Sequence, residues 1–233
     1  MIYVTSDLHG CEPAVFLDLL KQAGFSQEDY LFILGDVIDR GKHGLYWLRW
    51  LTEQTNVQLI LGNHEAMLLS CRYLFDPVTE ESLDRLDVEK LQLLQQWQYN
   101  GAAPTLKAMR KLLKTEPDIL EGILDYLQDC PLYETIHTGG RDYLLVHAGL
   151  EDYIPGKALE DYAPHDLLWA RPSPDTQYAE DATVIFGHTP TQFLDPQARG
   201  KAIFTPSWIC IDTGAACGGK PMLLRLDDLA TFY

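Results

Sequence analysis

Met1–Gly10 reads MIYVTSDLHG, Tyr30–Gly41 reads YLFILGDVIDRG, and Val57–Glu65 reads VQLILGNHE. Each is a short apolar run, rich in β-branched and aromatic residues, that stops abruptly at a group able to hold a cation. The runs are Ile2 to Ser6, Leu31 to Leu34 and Val57 to Leu61, and between them lie two stretches of helical character. In the first, about Pro13 to Ala23, Val15, Phe16, Leu19 and Leu20 share one face and Gly24 stands where a helix stops; the second runs from about Gly44 to Glu53. The order is strand, helix, strand, helix, strand, which predicts an α/β fold.

The same ending recurs twice more. Tyr143 to Val146 stops at His147, and Thr183 to Phe186 stops at Gly187-His188. Loops at strand ends are where open α/β folds assemble sites, because the sheet fixes the points from which they converge. A lone strand-end histidine is more often structural. Five such endings, offering Asp7, His9, Asp36, Asn63, His147 and His188, are expected to supply one two-metal site.

Around these strands the pattern changes. From Glu65 to about Gln128 it is helical, with Leu91, Leu94 and Trp97 in one apolar stripe and Ile119, Leu120, Ile123, Leu124 and Leu127 in another. Packing is the expected role of both stripes, with the shaping of a substrate groove as the alternative. Strands resume after Cys130-Pro131: Leu132 to Ile136 and Tyr143 to Val146 flank a hairpin turn at Gly139-Gly140, and runs follow at Trp208 to Ile211 and Met222 to Leu226. Tyr153 to Tyr178 is rich in Pro and Asp and reads as a surface loop with a short turn around Asp166 to Ala170.

The 233 residues are 46% hydrophobic and 22% charged, which suits one folded domain over 1–233 with a mainly helical insertion at about 66–128. Eighteen basic against 34 acidic residues give a formal charge of −16, which argues against broad adhesion to nucleic acid or to an anionic membrane. A small phosphorylated substrate stays open, because metals and arginines dominate the field inside a cleft. The five scattered cysteines contain no CxxC pair, so a disulfide framework or thiolate zinc site is not expected. No apolar stretch reaches the roughly 18 residues of a membrane helix, and a cytoplasmic protein is expected.

The ordered set Asp7-Leu8-His9-Gly10, Gly35-Asp36-Val37-Ile38-Asp39-Arg40-Gly41, Gly62-Asn63-His64-Glu65, His147-Ala148-Gly149 and Gly187-His188 resembles the calcineurin-like metallophosphoesterases of the phosphoprotein phosphatase family. Within it the chain is most similar to the compact bacterial and bacteriophage lambda type of serine/threonine protein phosphatase. The resemblance runs from Met1 to the stretch Ile211-Asp212-Thr213-Gly214 and is weakest over the helical middle.

The resemblance implies a four-layer α-β-β-α sandwich of two mixed sheets. It implies that Asp7, His9 and Asp36 bind one divalent ion and that Asp36, Asn63, His147 and His188 bind a second, with Asp36 bridging. The donors are all oxygen or imidazole nitrogen, which suits Mn, Fe or Zn without choosing among them; the expected cofactor is a pair of divalent ions, Mn first, with Fe or Zn as alternatives. A water activated by the metal pair would attack phosphorus directly. His64 would protonate the leaving oxygen, Asp39 would orient His64, and Arg40 and Arg171 would clamp the phosphoryl oxygens. Asp212 would support the site without ligating. His43, His137 and His165 fall outside the pattern and read as surface or hairpin residues.

The expected substrate is a phosphorylated protein. The alternative is diadenosine tetraphosphate or another nucleotide phosphoanhydride; an inactive phosphate-binding module and a nucleic-acid phosphodiesterase rank below these.

Overall fold

A computed structural model describes residues 1–77, 79, 87–178 and 181–233. Its strands form two five-stranded mixed sheets. The first contains β1 (Ile2–Thr5), β2 (Tyr30–Leu34), β3 (Val57–Ile60), β9 (Leu223–Arg225) and β10 (Ala230–Phe232), in the order β10-β9-β1-β2-β3. The second contains β4 (Tyr133–Thr138), β5 (Arg141–Val146), β6 (Thr183–Phe186), β7 (Ile203–Phe204) and β8 (Trp208–Cys210), in the order β4-β5-β6-β8-β7. Strands β1, β2 and β3 run parallel to one another, as do β5, β6 and β8, so each sheet gathers three carboxyl-terminal strand ends along one edge.

Alternation along the strands builds three apolar layers. Val4, Phe32, Leu34 and Ile60 of the first sheet meet Tyr143, Leu145, Ile185 and Ile209 of the second, so the sheets pack face to face. The alternate residues Tyr3, Leu31, Ile33 and Leu59 face outward against helices α1 (Pro13–Gln22) and α2 (Gly44–Glu53). Helices α4 (Val88–Tyr99), α5 (Ala103–Thr115) and α6 (Pro117–Gln128) complete that layer through Trp97, Met109 and Ile123, after the short α3 (Asn63–Ser70). On the far side, Leu144, Val146, Val184, Phe186 and Trp208 pack under Tyr162 and under Leu167 of α7 (Pro164–Leu168). The last helix, α8 (Thr191–Leu194), follows β6. The result is the four-layer α/β arrangement expected.

Local chemistry explains most boundaries. Gly24, at φ 72°, ends α1, and the amide of Phe25 returns to the carbonyl of Leu20. The Asp87 side chain caps α4 by accepting from the amide of Lys90 at 2.8 Å. Gly139 and Gly140 take φ 57° and 72°, the two positive values a tight two-residue hairpin needs, and join β4 to β5.

Several expectations change in detail. The first strand stops at Thr5, before Ser6, and the edge strands β7 and β10 were not anticipated, since two or three residues carry too little periodicity. The helical expectation over 78 and 80–86 lies outside the described residues. Among the described residues, no helix is long and apolar enough to cross a membrane.

Candidate active site

The five predicted strand endings converge where the carboxyl ends of the two parallel sets meet. The loops after β1 and β2 are stitched together by amide donors: Asp7 to the Gly35 carbonyl (3.1 Å), His9 to that of Asp36 (2.8 Å) and Gly10 to that of Val37 (2.8 Å). In extended chain, alternate residues such as Asp7 and His9 would point the same way, but this segment is not extended. Asp7 and His9 have φ 53° and 41°, and a left-handed turn brings them together. Asp36, Asp39, Arg40 and His188 are also left-handed, so the site holds six of the eight such non-glycine residues among those described. Backbone strain of this kind concentrates at functional sites. Gly35 (φ 77°) packs against Gly62 so closely that a Cβ would strike its backbone, which is how the loops after β2 and β3 come within reach of each other.

Two groups of donors lie side by side. In the first, His9 Nε2 is 3.5 Å from Asp36 Oδ2 and 3.9 Å from Asp7 Oδ1. In the second, Asn63 Oδ1 is 2.9 Å from His147 Nε2 and 3.0 Å from His188 Nδ1, and His147 Nε2 is 3.6 Å from Asp36 Oδ1. Asp36 therefore presents one oxygen to each group. All six residues are buried apart from the half-buried His188.

Proton bookkeeping makes these groups unusual. The Nδ1 atoms of His9 and His147 face the carbonyls of Ile38 (3.1 Å) and Leu34 (2.7 Å), which only accept, so in the neutral rings the proton sits on Nδ1 and Nε2 carries a lone pair. Burial, reinforced by neighbouring cationic groups, keeps these histidines neutral: His147 is pushed down to about 3, His188 to about 2, and His9 well below its ordinary value. The Nε2 lone pairs of His9 and His147 therefore face carboxylate and amide oxygens, and His188 Nδ1 also lies 3.2 Å from His147 Nε2. Asp7 Oδ1 is buried without a hydrogen-bond partner among the described residues. Burial, then the charge of Asp212, pushes the Asp7 carboxyl up; burial, then Glu65 and Asp7, does the same at Asp36. Such a set is poorly satisfied by protons and well matched to divalent cations.

Beside the first group stands His64. Its Nδ1 is 2.6 Å from Asp39 Oδ2, and its Nε2 faces the Arg40 guanidinium at 3.3 Å. Guanidinium only donates, so Nε2 accepts here and Nδ1 holds the proton toward Asp39. By distance alone His64 joins His9 and Asp36, each bringing a donor atom within 4.8 Å of the others. The guanidinium against Nε2 speaks against a cation on that nitrogen. Arg40 and Arg171 are exposed, and Arg171 Nη1 donates to Thr189 Oγ1 at 3.3 Å. Asp212 follows β8, its carboxyl pushed up to about 6 by burial, and accepts from the Gly214 amide at 2.8 Å. His43 and His137 pair instead with Glu12 (2.9 Å) and Asp142 (2.7 Å), and His165 stacks on Trp169.

Glu65 was quoted in a motif without a role, and the structure supplies one. Fully buried, it accepts the amides of Asp36 (2.8 Å), Val37 (2.9 Å) and Ile38 (3.3 Å), holding the turn that carries Asp36. Replacing it with alanine strands three buried donors at about 1–3 kcal/mol each when none is resatisfied. The Glu65→Ala variant is expected to lose about 3 kcal/mol or more in urea unfolding, with Glu65→Gln in between; an unchanged midpoint would contradict this.

Residues 1–207 match the family described as calcineurin-like phosphoesterases. The chain belongs to that family. A relative from Acidovorax ebreus, named as a symmetrical bis(5'-nucleosyl)-tetraphosphatase, is 31% identical over 151 residues, covering 64% of this chain and 44% of its own. The chain thus spans under half the length of that relative. Serine/threonine-protein phosphatase 2 of Salmonella typhimurium is 29% identical, with 97% of this chain and 92% of the relative covered. A crystal structure described as a putative diadenosine tetraphosphatase superposes with TM-score 0.64 at 21% identity, covering 99% of this chain and 90% of that one, which bears on the fold.

Proposed function

We propose that the protein is a metal-dependent phosphoric-ester hydrolase of the serine/threonine protein phosphatase type. The observation that carries this reading is the convergence of neutral imidazole nitrogens, an amide oxygen and buried carboxylates on one cluster, with Asp36 facing both halves of it. Asp7, His9 and Asp36 would hold one divalent ion, and Asp36, Asn63, His147 and His188 the other. Such a pair supplies Lewis acidity at phosphoryl oxygens and lowers the pKa of water at the site. Oxygen and nitrogen donors without thiolate suit Mn, Fe or Zn.

The remaining residues act on the substrate. Arg40 and Arg171 present guanidinium groups to the phosphoryl oxygens. Once Arg40 turns to the phosphoryl group, Nε2 of His64 is free to take up a proton and deliver it to the leaving oxygen as the P–O bond breaks. Asp39 holds the ring through Nδ1 and supports its cationic form.

A second reading, hydrolysis of a dinucleotide polyphosphate, is favoured by the names of several relatives and by one feature of the site. The half-buried Trp169 ring, with His165 stacked on it, lies 5.9 Å from that of His188, edge to face, and its uncovered part would offer an aromatic surface beside the donors to a nucleobase. Mn-loaded protein offered a phosphoserine peptide and diadenosine tetraphosphate in parallel is expected to turn over the peptide with the higher kcat/KM. A strong preference for the dinucleotide would overturn the leading reading.

A further inference from the structure

Among the described residues, the helical stretch touches the candidate reaction machinery through three hydrogen bonds, all made to the Asp39-Arg40 turn. Trp97 Nε1 donates to Asp39 Oδ2 at 2.7 Å, the Asp39 amide donates to Thr105 Oγ1 at 3.0 Å, and the Arg40 amide donates to the Gly101 carbonyl at 3.0 Å. Gly101, at φ 101°, reverses the chain between α4 and α5 so that Trp97 and Thr105 flank the turn, and it lies against the Arg40 side chain. We propose that Trp97 is a positioning residue for proton delivery: its indole N–H anchors the one Asp39 oxygen that orients His64. This rests on the reading of His64 as the general acid.

Three features support the assignment. Trp97 and His64 donate to the same oxygen, Asp39 Oδ2, at 2.7 and 2.6 Å. Indole N–H is a donor only, and the Nδ1 of His64 carries its proton because Arg40 faces Nε2, so Oδ2 accepts from both and holds no hydrogen. Second, Asp39 Oδ1 has no hydrogen-bond partner among the described residues. Apart from His64 itself, the indole is therefore the side-chain donor that stops the carboxylate from turning away from the ring. Third, Trp97 and Asp39 are fully buried and His64 nearly so, so water offers no easy replacement for a lost donor.

A buried tryptophan commonly finds some partner for its N–H, and a purely packing role must be separated from a positioning one. Trp97→Phe keeps an aromatic ring and removes the N–H. If Trp97 positions His64, kcat for phenyl phosphate, whose leaving oxygen needs the proton, falls about tenfold, the change expected when a hydrogen bond to a charged group is lost. Turnover of p-nitrophenyl phosphate, whose leaving group needs little help, stays within about twofold, and KM for both is unchanged. In the metal-free variant, the downfield proton resonance expected of His64 Nδ1 in so short a hydrogen bond moves upfield or broadens away. Equal losses on the two substrates, no loss on either, or an unchanged resonance would overturn the inference.

His64→Asn measured alongside keeps the two readings apart. A leaving-group-dependent loss in His64→Asn with none in Trp97→Phe defeats the inference about Trp97 alone. Equal losses in His64→Asn defeat the general-acid reading, and this inference with it. Should the phenylalanine variant not fold, Trp97→Tyr takes its place with the same readouts.

Discussion

Asp36→Asn is expected to strip the site of metal and to lower kcat/KM by about a thousandfold or more, as removal of a group on which the whole site depends does. Asp36 Oδ1 lies 3.6 Å from His147 Nε2, and Oδ2 lies 3.5 Å from His9 Nε2, so a single side chain serves both donor groups. Asparagine replaces one oxygen with an N–H donor aimed at a cation and removes a full negative charge. The backbone should tolerate it, because φ 58° at this position suits Asn as well as Asp. Burial already pushes the Asp36 carboxyl up, so removing its charge should not weaken the metal-free fold. Metal analysis after gel filtration and a melting curve of the metal-free variant check these expectations. Two full equivalents of metal would refute the bridging role.

His64→Asn should differ in metal content: it keeps the metals and still loses turnover. General acid catalysis contributes about 10²- to 10⁴-fold, and the loss should follow the leaving group, large for phenyl phosphate or phosphoserine and small for p-nitrophenyl phosphate. His64 is 1% exposed and is fixed through Nδ1 to Asp39, while the Arg40 guanidinium at its Nε2 counts against a ligand role. Metal content below wild type would place His64 among the ligands. Equal losses across leaving groups would remove it as the acid. Together the two substitutions separate holding the metals from moving the proton, which the crowding of Asp36, His9 and His64 within one cluster leaves joined.

The donors were legible in the sequence because each lies within a few residues of the end of an apolar run, and strand ends are a local signal. Their convergence was legible because parallel strands put those ends along one edge. The left-handed turn at Asp7 and His9 was not, since a short motif reads equally well as extended chain. Glu65 gave no signal of its role. One residue past His64 in α3, it looks like an ordinary first-turn acid, and only the close approach of the loops after β2 and β3 turns it toward the amides of Asp36, Val37 and Ile38.

Trp97 marks the boundary between what sequence and structure could each decide. Its helical spacing predicted burial, and Trp97 is buried, whereas Leu91 of the same stripe is exposed, because periodicity records which face of a helix turns inward but not how far along the helix that face is covered. It could not say which atom the indole N–H would meet, because that depends on how α4 and α5 dock on a turn nearly sixty residues away. Sequence alone determined the α/β alternation and placed the candidate donors, with Asp39, Arg40 and His64 just beyond them, at strand ends, all written in residue type and short spacing. Tertiary structure alone decided that Asp36 turns one oxygen to each donor group, that Glu65 secures its loop, and that the insertion reaches Asp39. Those depend on directions and distances between segments far apart in the chain, which local periodicity does not encode.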